Sequence, residues 1–89
     1  MYNILFTKQA QKDAQNIQRS GLKSQVDKII ETVIKNPFEP TQGFEKLKGN
    51  LKDLYSRRIN KQHRFVYEIS DDERERVVKV VSMWSHYEM

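Results

Sequence analysis

The chain has 89 residues, of which 37% are hydrophobic and 31% charged, with no cysteine and a net charge of +4. This length predicts one domain over residues 1–89, with a thin core and no separate cofactor domain. The lack of cysteine excludes disulfides and thiolate metal sites and favours a cytoplasmic protein. No apolar run approaches a membrane span and the start has no signal-peptide pattern, so we expect no membrane partner.

The first elements are predicted to be a strand and a helix. Aromatic and β-branched residues in Tyr2–Phe6 favour a short strand. Thr7 can cap the helix that follows, because its hydroxyl can accept a hydrogen bond from a free amide of the first turn. The helix should end at Ser20–Gly21. Its buried stripe is predicted to consist of Ala10, Ala14 and Ile17.

The second helix has the clearest pattern in the chain. From Leu22 to Ile34 the apolar residues recur at i, i+4, i+7, i+8, i+11 and i+12, which is one face of a helix. Asn36–Pro37 should end it, since the residue before a proline is pushed out of the helical region. The content of Pro, Thr and Gly in Phe38–Gly43 predicts a loop.

After Gly43 the hydrophobic period changes from that of a helix to that of a strand, which predicts four further strands. Their expected bounds are Phe44–Lys48, Leu54–Asn60, Arg64–Ser70 and Arg76–Trp84. Turns are expected at Gly49–Asn50, Asn60–His63 and Asp71–Asp72. The element order β-α-α-β-β-β-β places the chain in the α+β class.

Alternation along two of these strands separates neighbouring arginines. Phe65 and Tyr67 share the apolar face of one strand, so Arg64 points away from them. If the helices cover the Phe65 face, Arg58 shares the open face with Arg64, whereas Arg57 points towards the helices.

Positive charge is concentrated in one segment. From Phe44 to Tyr67 seven cations face two anions, a net +5 in 24 residues, whereas Glu68–Arg76 has five anions and two cations. A basic segment of this kind indicates an anionic partner such as nucleic acid, although a solvated surface would have the same composition.

Few residues could cleave RNA. Metal-free cleavage needs a base for the 2′-hydroxyl, an acid for the leaving 5′-oxygen and cations near the phosphorus. Each candidate residue could equally be an ordinary surface residue. The sequence has no recognisable phosphate loop, metal-spaced cluster or Ser/His/Asp arrangement, so we expect neither a metal nor a cofactor. The candidates are Glu45 as base, His63 or His86 as acid, and the cations Lys46, Lys48, Arg58 and Arg64.

Two motifs give these residues a pattern. Phe44–Ile69 reads FEKLKGNLKDLYSRRINKQHRFVYEI, and Ser85–Tyr87 reads SHY. Together with Asn36–Phe38 (NPF), they resemble the Txe/YoeB toxins of the RelE/ParE superfamily. The resemblance follows the whole chain in element order and about half of it residue by residue.

The resemblance implies a RelE-like fold, with two N-terminal helices packed on a twisted, mostly antiparallel sheet. It implies a toxin of a type II toxin–antitoxin system that cleaves mRNA in the ribosomal A site without a metal or cofactor. The expected partners are the ribosome, mRNA and an acidic antitoxin, and homodimerisation stays open. The implied roles are Glu45 as general base, His86 as general acid and Arg64 as phosphate clamp, with Lys48, Arg58 and Tyr87 assisting. His63 is interpreted as a structural residue of the hairpin.

Departures from the family pattern are small, and two other functions stay open. Asp53 stands where the family often has glycine, and Glu88 and Met89 follow the terminal His-Tyr pair. A ParE-like gyrase poison would share the fold but lack the acid–base set. A non-catalytic RNA-binding module would need only the basic segment and aromatic residues on which bases could stack.

Overall fold

The computed structural model describes residues 1–51 and 53–84. In this part of the chain two helices pack on a five-stranded sheet, which confirms the predicted α+β class and element order. None of the helices found there is long and apolar enough to cross a membrane. The elements are β1 (Asn3–Phe6), α1 (Lys8–Arg19), α2 (Lys23–Lys35), β2 (Glu45–Lys46), a short 3₁₀ helix (Gly49–Leu51), β3 (Leu54–Arg58), β4 (Arg64–Asp72) and β5 (Glu75–Ser82).

The sheet has the strand order β1-β5-β4-β3-β2. Strands β2 to β5 pair antiparallel with their neighbours, while β1 pairs parallel with β5. A parallel pair requires a crossover, and α1 and α2 lie in the connection that leaves β1. The chain therefore has the expected mostly antiparallel sheet, with β4 at its centre.

The predicted ends of both helices are confirmed. The Thr7 hydroxyl accepts a hydrogen bond from the Ala10 amide at 3.1 Å and donates one to the Val81 carbonyl at 2.9 Å, so it also ties α1 to the end of β5. Gly21, just after α1, has a φ of +78°, which glycine adopts without steric cost. Asn36 ends α2 in an extended conformation before the buried Pro37.

The core lies between the helices and one face of the sheet. Val26, Ile29 and Val33 of α2 are buried there, as the helical pattern predicts. Phe65 and Tyr67 of β4 are completely buried on the same side, which confirms the predicted apolar face of that strand. The other face of the sheet is therefore the one away from the helices, and it is called the distal face below.

Two predictions about local structure were wrong. Ala14 is exposed, and Asp13 is the third buried residue of α1. The helical stripe passes through Asp13 because it is three residues after Ala10 and four before Ile17. The turn between β4 and β5 lies at Glu73–Arg74 instead of Asp71–Asp72, because both aspartates still pair with β5 and Asp71 contacts Arg76 at 3.4 Å.

The other strands are shorter than expected at their ends. Strand β2 is reduced to Glu45–Lys46, since Gly49 starts the 3₁₀ helix soon afterwards. Strand β3 ends at Arg58, where the predicted hairpin turn is held by the Asn60 side chain, which accepts hydrogen bonds from the amides of Gln62 and His63. Asp53 has a φ of +74°, so the position where the resembled family often has glycine does have a left-handed backbone.

Candidate functional site

The distal face carries one row of residues across four strands. The pairing register places Glu45 opposite Ser56, Ser56 opposite Val66, and Val66 opposite Ser82. Residues directly opposite each other project from the same face. Ser56, Val66 and Ser82 are nearly or fully buried, whereas Glu45 at the end of the row is exposed. The face predicted to be open is therefore open only in part, with short buried side chains as its floor.

Two arginines form the next row of the distal face. Arg58 and Arg64 are register partners on β3 and β4, which confirms that they share a face away from Phe65. Arg58 is exposed and Arg64 is half-buried. Neither makes an ion pair with any residue in 1–51 or 53–84. Two adjacent guanidinium groups without carboxylate partners are suited to binding an anion such as a phosphate.

Glu45 lies close to this arginine pair. Arg58 is the diagonal neighbour of Glu45, because Glu45 opposes Ser56, and such neighbours are about 7–8 Å apart at their backbones. Arg64 is one strand further, or about 12 Å away by the ordinary spacings of a sheet. A carboxylate and two long cationic side chains can therefore approach one phosphodiester group from the same face. No ion pair of Glu45 occurs within the described residues.

Of the remaining candidate residues, the two lysines are described by the structure and the two residues near the C-terminus are not. Lys48 is exposed between β2 and the 3₁₀ helix. Lys46 pairs with Tyr55, so it projects from the opposite face to Glu45. His86 and Tyr87 lie outside the described residues.

His63 is built into the hairpin between β3 and β4. Its side chain is buried and stacks on Trp84, with ring centroids 4.1 Å apart and planes inclined by 14°. Its carbonyl accepts a hydrogen bond from the Ile59 amide at 3.0 Å. The Nδ1 atom finds no partner among the described residues. These contacts agree with a structural interpretation of His63 and not with a solvent-facing acid.

Sequence reasoning missed the burial of Asp13, which lies on the helix side of the sheet. The Asp13 carboxylate accepts a hydrogen bond from the Met83 amide at 2.9 Å and another from Gln9. It thereby fixes the chain just after β5, and its spacing from Ala10 and Ile17 was the available signal. Burial raises the pKa of Tyr67 to about 12, although the neighbouring Arg57 acts in the opposite direction.

Comparison with known proteins identifies the family. A sequence model described as the YoeB-like toxin of bacterial type II toxin–antitoxin systems matches residues 6–87. The chain belongs to this family. The toxin is 36% identical over 67 residues to Toxin YoeB from Synechocystis sp., a match that covers 75% of this chain and 73% of that protein. It is 43% identical over 47 residues to Toxin YoeB from Escherichia coli O6:H1, which covers 53% of this chain and 56% of that protein.

Solved structures agree with the family assignment over the whole fold. The toxin is similar to a YoeB/ParE toxin from Agrobacterium tumefaciens, with a TM-score of 0.86 and 29% identity over 96% of this chain and 99% of that one. The YoeB dimer from Staphylococcus aureus gives a TM-score of 0.80 and 34% identity, with 97% and 98% covered. YoeB from the heterotetrameric YoeB–YefM toxin–antitoxin complex of the same organism gives 0.79 and 33%, with 98% and 99% covered. The resemblance inferred from Phe44–Ile69 is thus confirmed at the level of the family and fold.

Proposed function

We propose that this toxin is a ribosome-dependent endoribonuclease that cleaves mRNA in the A site and thereby stops translation. The observation that carries the proposal is the strand register, which places Glu45 diagonal to Arg58 and Arg58 opposite Arg64 on the distal face. Neither arginine has an ion pair within the described residues. A base beside two anion-binding cations is what attack by a ribose 2′-hydroxyl requires. A reaction on translating ribosomes implies action in the cytoplasm.

In the proposed reaction Glu45 takes the proton of the 2′-hydroxyl. The 2′-oxygen attacks the adjacent phosphorus, and the bond to the 5′-oxygen of the next nucleotide breaks. His86 donates a proton to that leaving oxygen. Arg64 and Arg58 stabilise the negative charge that grows on the phosphoryl oxygens, because preorganised cations act most strongly where charge develops. Lys48 and Tyr87 would assist by stabilising charge and positioning the base.

The products follow from this chemistry. One fragment ends in a 2′,3′-cyclic phosphate, or in the 3′-phosphate formed by its hydrolysis, and the other begins with a 5′-hydroxyl. No step is assigned to a metal ion. A nuclease in which an activated water expels the 3′-oxygen would instead leave a 5′-phosphate.

Inhibition by a partner is the second part of the proposal. We propose that an acidic antitoxin binds the basic segment Phe44–Tyr67, because opposite charges attract. The YoeB–YefM toxin–antitoxin complex of S. aureus supports a protein partner of this class. A homodimer is also proposed for the free toxin, because YoeB of S. aureus has been solved as a dimer.

The test replaces Glu45 with glutamine and maps mRNA ends in a translating extract. We expect a loss of cleavage rate of about 10²–10⁴-fold, the usual effect of removing a positioned base. Glu68→Gln is the matched control, since Glu68 is an exposed carboxylate on the same face but beyond the buried row. Wild-type cleavage by Glu45→Gln, 5′-phosphate ends, or cleavage of mRNA carrying a 2′-O-methyl group at the cut would each refute the mechanism. Gyrase–DNA adducts without mRNA cleavage would favour a ParE-like activity instead.

A further inference from the structure

Arg57 is a buried cation on the helix side of the sheet. Its side chain is 0% exposed, although it lies on β3 between Ser56 and the exposed Arg58. No anion pairs with it among the described residues. A buried charge is costly unless other groups replace its hydration, so the groups around Arg57 indicate what it holds.

Most of these groups come from the loop that follows α2. The guanidinium donates hydrogen bonds to the Pro37 carbonyl at 3.1 Å, the Thr41 carbonyl at 2.9 Å and the Gln42 side-chain oxygen at 3.4 Å. Its Nε donates to the Tyr67 hydroxyl at 3.0 Å, and that hydroxyl donates to the Pro37 carbonyl at 2.7 Å. These bonds occupy four of the five N–H groups of an arginine. Loop residues 37–42 are therefore wrapped around one planar cation.

The same loop leads directly into Glu45. Both Gln42 and Gly43 have a left-handed backbone, with φ of 57° and 68°. The Arg58 amide donates a hydrogen bond to the Gln42 carbonyl at 2.7 Å, and a Cβ on Gly43 would lie only 3.1 Å from the Cβ of Arg58. The chain is thus pressed against β3 one residue before Phe44, and little freedom is left for the entry into β2.

The position of Phe44 determines the direction in which the Glu45 side chain points. Its ring covers the Arg57 guanidinium at 4.9 Å and stacks on Tyr55 at 5.7 Å. Successive side chains of a strand point to opposite faces, so Phe44 on the guanidinium directs Glu45 to the distal face opposite Ser56. Strand β2 comprises only two residues, which is too short to define its own register.

We propose that Arg57 is a positioning residue, which fixes Glu45 towards the Arg58–Arg64 row through the 37–42 loop and Phe44. The proposal rests on the proposed function, because it assigns Arg57 an effect on the proton transfer to Glu45. Arg57 itself does not touch the substrate, since its guanidinium lies on the opposite side of the sheet. Lysine keeps the charge but lacks the planar fork, so it cannot hold Pro37, Thr41 and Tyr67 at once.

The test is a double-mutant cycle between Arg57→Lys and Glu45→Gln in the ribosome-dependent cleavage assay. We expect Arg57→Lys to lower kcat by about 10–100-fold, because a small misplacement of a catalytic group has effects of that size. KM for the ribosome should stay within about threefold, because the surface cations that would contact it are retained. Arg57→Lys should add almost nothing to the loss in Glu45→Gln, since the two residues act as one unit.

A stability control separates positioning from general weakening of the fold. Ile17 is buried on α1, which supplies none of the hydrogen-bond partners of Arg57, and Ile17→Val or Ile17→Ala can be chosen to match the stability of Arg57→Lys. The matched Ile17 variant should keep the wild-type kcat. Amide exchange at residues 41–46 should accelerate only in Arg57→Lys. If Arg57→Lys does not fold, Tyr67→Phe removes the hydroxyl bridge to Pro37 and should show the same non-additivity with a smaller loss.

The outcomes distinguish the inference from the function on which it rests. A fully active Glu45→Gln would overturn the proposed function. If Glu45→Gln is slow, three results would each overturn the positioning role of Arg57. These are additive losses in the Arg57→Lys/Glu45→Gln double mutant, an unchanged kcat in Arg57→Lys, and an equal loss of kcat in the Ile17 variant.

Discussion

Replacing Arg64 with methionine should affect the stability of the sheet and the rate of RNA cleavage in opposite directions. Arg64 and Arg58 are direct cross-strand partners without an ion pair to any other described residue. Like charges placed opposite each other destabilise a sheet by about 0.2–1 kcal/mol. Coulomb's law gives a similar figure, about 0.6 kcal/mol for guanidinium groups roughly 7 Å apart in water. Methionine keeps an apolar stem in the half-buried part of the site while removing the charge.

We therefore expect Arg64→Met to unfold at a slightly higher urea concentration than the wild type. The gain in unfolding free energy should be at most about 1 kcal/mol in dilute buffer. It should disappear near 1 M NaCl, where the Debye length falls to about 3 Å. Urea is the suitable denaturant because it does not screen charge.

Cleavage should change in the opposite direction. Loss of a cation that stabilises the transition state lowers the rate by about 10–1000-fold, and Arg64→Lys should be similarly slow because it cannot bind the phosphate with two prongs. Arg74→Met, in the exposed turn after β4, is the charge-matched control and should keep wild-type activity. A folded, fully active Arg64→Lys protein would refute the assignment. So would a marked, salt-independent loss of stability in Arg64→Met, which would identify Arg64 as a structural residue.

Three further predictions concern other parts of the toxin. His86→Ala should slow cleavage by about 10²–10⁴-fold, and a wild-type rate would exclude His86 as the acid. His63→Ala removes the stack on Trp84 and should mainly lower the stability of the fold. Because the pKa of Tyr67 is raised to about 12 in the folded state, its contribution to stability is complete below pH 10 and is lost between pH 10 and pH 12. Over that window the unfolding free energy of the wild type should fall relative to that of Tyr67→Phe by about 1.4 kcal/mol per pH unit, and parallel pH profiles would contradict this. The association rate with an acidic antitoxin should fall as salt increases, and a rate that does not depend on salt would argue against electrostatic attraction to the basic segment.

Local pattern was sufficient for the element types and for several of their ends. The helical spacing of α2, the Thr7 cap and the stop at Asn36–Pro37 each depend on residues within a few positions of one another. Alternation along β3 and β4 likewise separated Arg57 from Arg58, because neighbouring residues of a strand must point to opposite faces. The chemistry of RNA cleavage supplied a shortlist that contained Glu45, Arg58, Arg64 and His86, and the resemblance then implied a role for each. Neither determined how these residues are arranged.

Tertiary structure decided what these residues face. That Glu45 opposes Ser56, and Arg58 opposes Arg64, is a consequence of strand pairing, which no periodicity within one segment determines. The turn at Glu73–Arg74 follows from pairing that continues through Asp71 and Asp72 against the local preference of aspartate for turns.

The burial of two charged residues, Asp13 and Arg57, also depends on long-range contacts. By sequence alone Asp13 belongs to the charged surface. Arg57 was counted in the basic segment, although strand alternation already predicted that it points towards the helices. In the fold Asp13 accepts the Met83 amide 70 positions away, and Arg57 donates to Pro37 across 20 positions. Their hydration is replaced by backbone groups that only the folded chain brings near, because a buried ionic group is tolerated where its hydrogen bonds are satisfied. The sequence by itself thus determined the elements and the residue types of the toxin, while the packed sheet decided which charges face solvent and which hold the site together.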